Sequence, residues 1–161
     1  LKIRVQTSDL FIDLMRALGA NPVPLPFGEL YTALQTGVVD GAENNWPSFE
    51  SQRHYEHARH YSTTEHSNVP EIVVVNKQRW DRLSAADKEI VRTAAREASA
   101  LQRQLWAERE KQSRERVIAA GVTVTDIQDR TPFSRLMEPI YAKYAGAANL
   151  KALVDQIRAT Q

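Results

Sequence analysis

The spacing of hydrophobic positions changes several times along this chain, and each change marks an element. Leu1 to Val5 alternates apolar and polar, which predicts a half-buried strand with Leu1, Ile3 and Val5 inward and Arg4 on the opposite face. Ser8 stands as an N-cap before Asp9, and Leu10, Phe11, Leu14, Met15 and Leu18 recur at helical spacing, so a helix is predicted up to Gly19. The prolines of Asn21-Pro-Val-Pro-Leu-Pro26 hold the next segment extended, because a residue before proline avoids the helical region. Leu30, Leu34 and Val38 supply the apolar stripe of a short helix stopped by a left-handed Gly37, followed by a short buried strand at Val38-Val39 and a turn at Asp40-Gly41. Strand, helix, strand, helix, strand is the alternation of an α/β layer fold with a mostly parallel sheet.

Further along, Pro47 to Tyr61 reads as a helix with Phe49, Tyr55 and Ala58 apolar and His54, His57 and His60 spaced by three on one face. Glu71 to Val75 has the continuous β-branched run of a strand buried on both faces. Asn76 to Leu83 is a short helical turn, and Ser84-Ala-Ala-Asp87 has the form of a capping box. No Pro or Gly interrupts Ala85 to Ala120, where Ile90, Ala94, Ala98, Leu101 and Leu105 form the apolar side and Lys88, Arg92, Arg96, Arg103 and Arg109 lie on the wet side. Such a helix would be about 50 Å long, more than the width of a small domain, so it must bend or connect two bodies. Val122 to Thr125 alternates as an edge strand. Thr131 caps a helix opened by Pro132 and kinked or restarted at Pro139, and a last helix runs from Asn149 to about Arg158.

Composition removes several function classes. With 21 Lys plus Arg against 20 Asp plus Glu, the net charge of +1 gives no basic footprint for nucleic acid. The absence of Cys rules out disulfides, thiolate catalysis and cysteine metal sites, and fits a bacterial periplasm as well as a cytosol. No apolar run is long enough to span a bilayer. A start at Leu1, with neither Met nor signal peptide, is expected of a mature or cut chain.

The candidate chemistry gathers at predicted strand ends, where α/β folds bind ligands: Gln6-Thr7-Ser8 after the first strand, and Glu43-Asn44-Asn45 after Asp40-Gly41. Arg4 can hold a carboxylate through two charge-assisted hydrogen bonds, or be a plain surface arginine. Asn44 and Asn45 can donate to the same anion or to hydroxyls. Phe27 and Trp46 can wall a pocket, although Phe27 is equally suited to the core. His66 precedes the strand at Ile72 and can line the same cleft. The three spaced histidines admit a metal site, but Arg53 and Arg59 would repel a cation and a solvated helix face is the better account. No nucleophile elbow, phosphate loop or dinucleotide fingerprint is present, and Asp40 with Glu43 across a turn does not make a glycosidase pair. The residues call for no cofactor.

Five blocks in order carry a resemblance: Leu1-Lys-Ile-Arg-Val5, Leu18-Gly-Ala-Asn-Pro22, Pro26-Phe-Gly-Glu-Leu-Tyr-Thr-Ala-Leu-Gln35, Gly37-Val-Val-Asp-Gly-Ala-Glu-Asn44 and Trp80-Asp-Arg-Leu-Ser84. Together they resemble the second half of the DctP-like solute-binding proteins of tripartite ATP-independent periplasmic (TRAP) transporters. The resemblance implies a two-lobed periplasmic-binding-protein-like α/β fold, its mixed sheet flanked by helices, with one long lobe-bridging helix. Residues 1–70 would begin the ligand-binding lobe and 71–130 would hold the strand, bridging helix and edge strand, partly belonging to the other lobe. Helices in 131–161 would pack back, and the N-terminal lobe would be missing. It further implies a periplasmic, non-catalytic protein that captures an organic acid for TRAP membrane subunits. In the family the Lys-Ile-Arg arginine binds the ligand carboxylate, which falls on Arg4. The closing asparagine falls on Asn44, the aromatic of the proline block on Phe27, and a ligand-facing position on His66. Asn44-Asn45-Trp46-Pro47 resembles the variant that goes with sugar acids, particularly hexuronates. A sugar-acid-processing enzyme and an interaction fragment without a ligand are the alternatives. Apolar surface left without its other lobe predicts self-association or strand exchange.

Overall fold

The computed structural model describes residues 1–160. Strand β1 (Lys2–Val5) lies at the centre of a three-stranded parallel sheet, between β2 (Asn21–Pro24) and β3 (Gly41–Ala42). The register sets Arg4 opposite Val23 on one side and Ala42 on the other. Helix α1 (Asp9–Ala17) connects the first two strands and ends at Gly19, whose φ of 80° is the left-handed cap read from the sequence. Helix α2 (Leu30–Gln35) follows a single turn of 3-10 helix at Phe27–Glu29 and ends at Gly37, φ 71°. Two small cores support this sheet. Val5 packs with Leu14 and Met15 under α1, and Leu30, Ala33 and Val39 close the opposite side.

Several expectations are corrected here. Leu1 is 85% exposed, since it precedes the first paired residue of β1. Ser8 occupies the N-cap position of α1 without a side-chain cap bond; its carbonyl accepts from the Ile12 N–H instead. Val38-Val39 is not a strand: Val39 is buried in the turn after α2, Val38 is exposed, and the pairing begins two residues later at Gly41. Ala33, not Val38, completes the buried face of α2.

The helix expected over 47–61 breaks. Helix α3 (Trp46–Ser51) ends where Arg53 takes a left-handed conformation, φ 57°, a costly one for a residue with a Cβ. A 3-10 turn at His54–Glu56 and strand β4 (His60–Ser62) follow, so the three histidines share no face and His54 is buried, not solvated. Strand β4 pairs in parallel with β5 (Thr123–Thr125), and Phe49, Val117 and Val122 form the core beneath them.

Ile72, Val73 and Val74 are 77%, 78% and 77% exposed and form no strand. A strand needs a neighbour to satisfy its backbone groups, and among the described residues none lies beside this run. After α4 (Lys77–Asp81) comes α5 (Ala85–Ala119), an unbroken helix of 35 residues opened by the capping box, in which Ser84 Oγ accepts from the Asp87 N–H at 3.1 Å. Only its last turns are anchored: Ser113 and Val117 are buried, whereas Ile90, Leu101 and Leu105 are exposed. Helix α6 (Thr131–Leu136) starts on Thr131 as its first helical residue, because the Asp129 carboxylate two residues earlier takes the Thr131 N–H at 2.9 Å. Pro139 restarts the chain as α7 (Glu138–Tyr144), and α8 (Ala148–Arg158) completes it. Helix α7 docks on α1 through the Asp13 carboxylate, which accepts from Lys143 and, at 2.7 Å, from Tyr144.

Candidate ligand-binding face

Arg4 is the charged centre of the sheet and only 4% exposed. Its Nε and Nη2 donate to the Leu25 carbonyl at 3.0 and 2.8 Å, which fixes the guanidinium plane at the carboxyl end of β1. Among the described residues no carboxylate pairs with it; its hydrogen bonds leave the outer end of the fork free for a further acceptor. Burial lowers its pKa and the charge of Glu43 partly opposes this, yet an arginine stays charged at any physiological pH. A buried cation with a neutral acceptor as its sole hydrogen-bond partner is suited to an incoming anion.

Phe27 is 41% exposed and is not core. The guanidinium carbon of Arg4 lies 5.8 Å from its ring centre, and the ring meets the His54 imidazole edge-on at 5.8 Å. Phe27 thus forms a wall beside the cation. On the other flank, β3 leads to Glu43, Asn44 and Asn45. Asn44 Oδ1 accepts from the Asn45 N–H at 2.9 Å, which leaves the Asn44 amide NH2 as a donor. Asn45 Oδ1 is occupied as the N-cap of α3, accepting from Ser48 at 2.9 Å. Trp46 stacks on Tyr61 with ring centres 3.6 Å apart, and Arg114 from α5 lies 5.8 Å from its ring centre. Glu43 reaches toward His66, with 3.8 Å between Oε2 and Nε2, while His66 Nδ1 is held by the Thr64 hydroxyl at 2.7 Å. Thr7 lies exposed in the loop after β1.

The structure therefore brings Arg4 and Phe27 to one face, with Glu43 close enough to act on the Arg4 charge, and joins Glu43 to His66. Two residues at this face escaped the sequence reading. Tyr61 donates its hydroxyl to the Asn44 carbonyl at 2.7 Å, and burial pushes its phenol up to about 12, so the proton stays on the donor. His54 sits edge-on against Phe27, concealed in the sequence by a helical spacing the chain does not keep. Two hollows flank the site. One of about 320 Å3 is lined by Trp46, Thr63, Arg114, Asp126 and Arg130. Another, of about 530 Å3, separates Thr64 and His66 from Phe133, Met137 and Tyr141. Arg4, Phe27 and Asn44 line neither hollow.

Comparison with known proteins gives the family and the fold. Residues 1–147 match the family described as bacterial extracellular solute-binding protein, family 7, known as DctP. A solute-binding protein of Chromohalobacter salexigens is 41% identical over 162 residues, covering 100% of this chain and 48% of its own length. A TRAP periplasmic solute-binding protein of a Bradyrhizobium species, solved with galacturonate, superposes with a TM-score of 0.91 at 52% identity, over 99% of this chain and 53% of that one. Its counterpart from Roseobacter denitrificans, solved with β-D-glucuronate, gives 0.94 at 46% identity, over 100% and 54%. These relatives are binding proteins, not enzymes, and the chain spans about half their length. The chain belongs to the DctP family of TRAP-transporter solute-binding proteins, whose α/β lobe it shares.

Proposed function

We propose that this chain is the ligand-binding half of a two-lobed periplasmic protein that captures a hexuronate for a TRAP transporter, with Arg4 holding the carboxylate. The observation that carries the reading is the Arg4 guanidinium, buried at a strand end and, among the described residues, bonded only to the Leu25 carbonyl. Galacturonate and glucuronate, bound by the relatives just described, are anions that also carry hydroxyls and an apolar ring face. Phe27 offers a surface for that ring face and the Asn44 amide a donor for a hydroxyl. Glu43, His66, Asn45, Trp46 and Thr7 border the same face. Residues 71–130 would carry the chain to the other lobe and back, and the helices after them, of which α7 docks on α1, would pack back on this lobe.

The test is a thermal-shift panel of sugar acids and dicarboxylates on the two-lobed protein. At a hundred times its Kd, a ligand stabilises by about 2.7 kcal/mol. D-glucuronate or D-galacturonate should raise Tm, and Arg4→Ala should abolish the rise. An undiminished shift in Arg4→Ala overturns the role of Arg4, and turnover of a hit overturns pure binding.

A further inference from the structure

His54 is 3% exposed, and among the described residues no hydrogen bond engages its ring nitrogens, which still reach solvent. A ring nitrogen that reaches solvent can exchange a proton with water, and its surroundings indicate a use for that exchange. The ring abuts Phe27 edge-on at 5.8 Å, and Phe27 lies 5.8 Å from the Arg4 guanidinium carbon. Two nitrogen bases thus share one wall, close enough for Arg4 to disfavour a second charge on His54.

We propose that His54 is a second anion-holding group beside Arg4, which takes a proton from solvent when a carboxylate occupies the cleft and then faces that carboxylate together with Arg4. The inference rests on the carboxylate-binding reading above. In the ligand-free protein, burial first and the Arg4 charge second hold the imidazole below its ordinary range, so it is neutral at pH 7. A carboxylate on Arg4 cancels the opposing charge and adds an attractive one, which favours the imidazolium. Other titratable groups around the turn are already engaged. On its own segment Arg53 pairs with Glu56, which also accepts from Tyr31 of α2. His57 lies against the Tyr31 ring. From α3, Glu50 pairs with Arg109 and Arg116 of α5. Glu43, beyond β3, acts on Arg4 and contacts His66.

The sign follows from linkage. If binding raises the His54 pKa, affinity is greatest below the ligand-free pKa and falls as pH rises through the bound-state pKa. For one linked proton the fall is about tenfold per pH unit at most. The experiment is calorimetric titration of D-glucuronate into the two-lobed protein, in buffers of different ionisation enthalpy, from about pH 5 to 8. Wild type should take up protons on binding. His54→Gln should bind without that uptake and with a flat pH profile. His60→Gln, at an exposed position of β4, should keep both, which separates His54 from a histidine outside the site. A second readout needs no variant: the NMR titration midpoint of the His54 ring should move up when glucuronate is added. Equal uptake in wild type and His54→Gln, or an unmoved midpoint in the complex, overturns the proposal while leaving the binding function intact. If no sugar acid binds wild type, the functional reading falls and takes this one with it.

Discussion

Arg4 and its neighbours show what single residues contribute. A charge-assisted hydrogen bond contributes about 1.5–3 kcal/mol, so Arg4→Ala should weaken uronate binding by about tenfold or more, measurable by calorimetry. A loss within a factor of about two would leave Arg4 without its role. Tyr61→Phe removes the bond to the Asn44 carbonyl but keeps the stack on Trp46. Denaturant unfolding should therefore show a loss of about 1 kcal/mol, and a cost near zero would mean water replaces the hydroxyl. His54 also sets a pH dependence of the ligand-free fold. Its pKa is lowered from the ordinary value of 6.5 in the folded state, so the unfolded chain binds the proton more readily. That contribution is present above about pH 6.5 and is lost as pH falls toward the folded value. His54→Gln should flatten the slope there.

Among elements, local signals proved legible and long-range ones did not. Gly19 and Gly37 stop α1 and α2 where the sequence places them, because a left-handed cap needs only the glycine itself. Ser84 starts α5 with a bond to Asp87 three residues away. By contrast, Ile72 to Val75 has the composition of a strand, but pairing depends on a distant neighbour that composition cannot supply. The broken segment after α3 depends on Arg53 turning left-handed, for which its sequence gives no cue, and with it went the view of His54 as a surface residue. For the site, Arg4 was legible as a strand-end cation, whereas its bond to Leu25 and the Tyr61 bond to Asn44 arise from tertiary contacts 21 and 17 residues apart. The anchoring of α5 is uneven in the same physical sense. Val117 is 1% exposed against Phe49 and Val122, so Val117→Ala should cost about 2 kcal/mol of stability. Hydrogen exchange should be slow over 109–119 and much faster over 85–105, where side chains lie open. Uniform protection along α5 would contradict this reading of the helix.

At the scale of the molecule, the exposed apolar residues include the run Ile72 to Val75 and, on α5, Ile90, Leu101 and Leu105. Such surface seeks cover, and an unpaired β-branched run can also pair edge to edge. Sedimentation of the 161-residue chain should therefore show association that deepens with concentration, and a compact monomer at all concentrations would contradict it. The two-lobed protein should cover these residues and stay monomeric. On the proposed reading, binding depends on both lobes, with the Arg4 face as one wall of the closed cleft. The most direct test is a crystal structure of the two-lobed protein with D-glucuronate. The account predicts the uronate carboxylate within hydrogen-bond distance of Arg4, the sugar ring against Phe27 and the Asn44 amide on a hydroxyl. A carboxylate held by other groups, with Arg4 still bonded only to the Leu25 carbonyl, would contradict it.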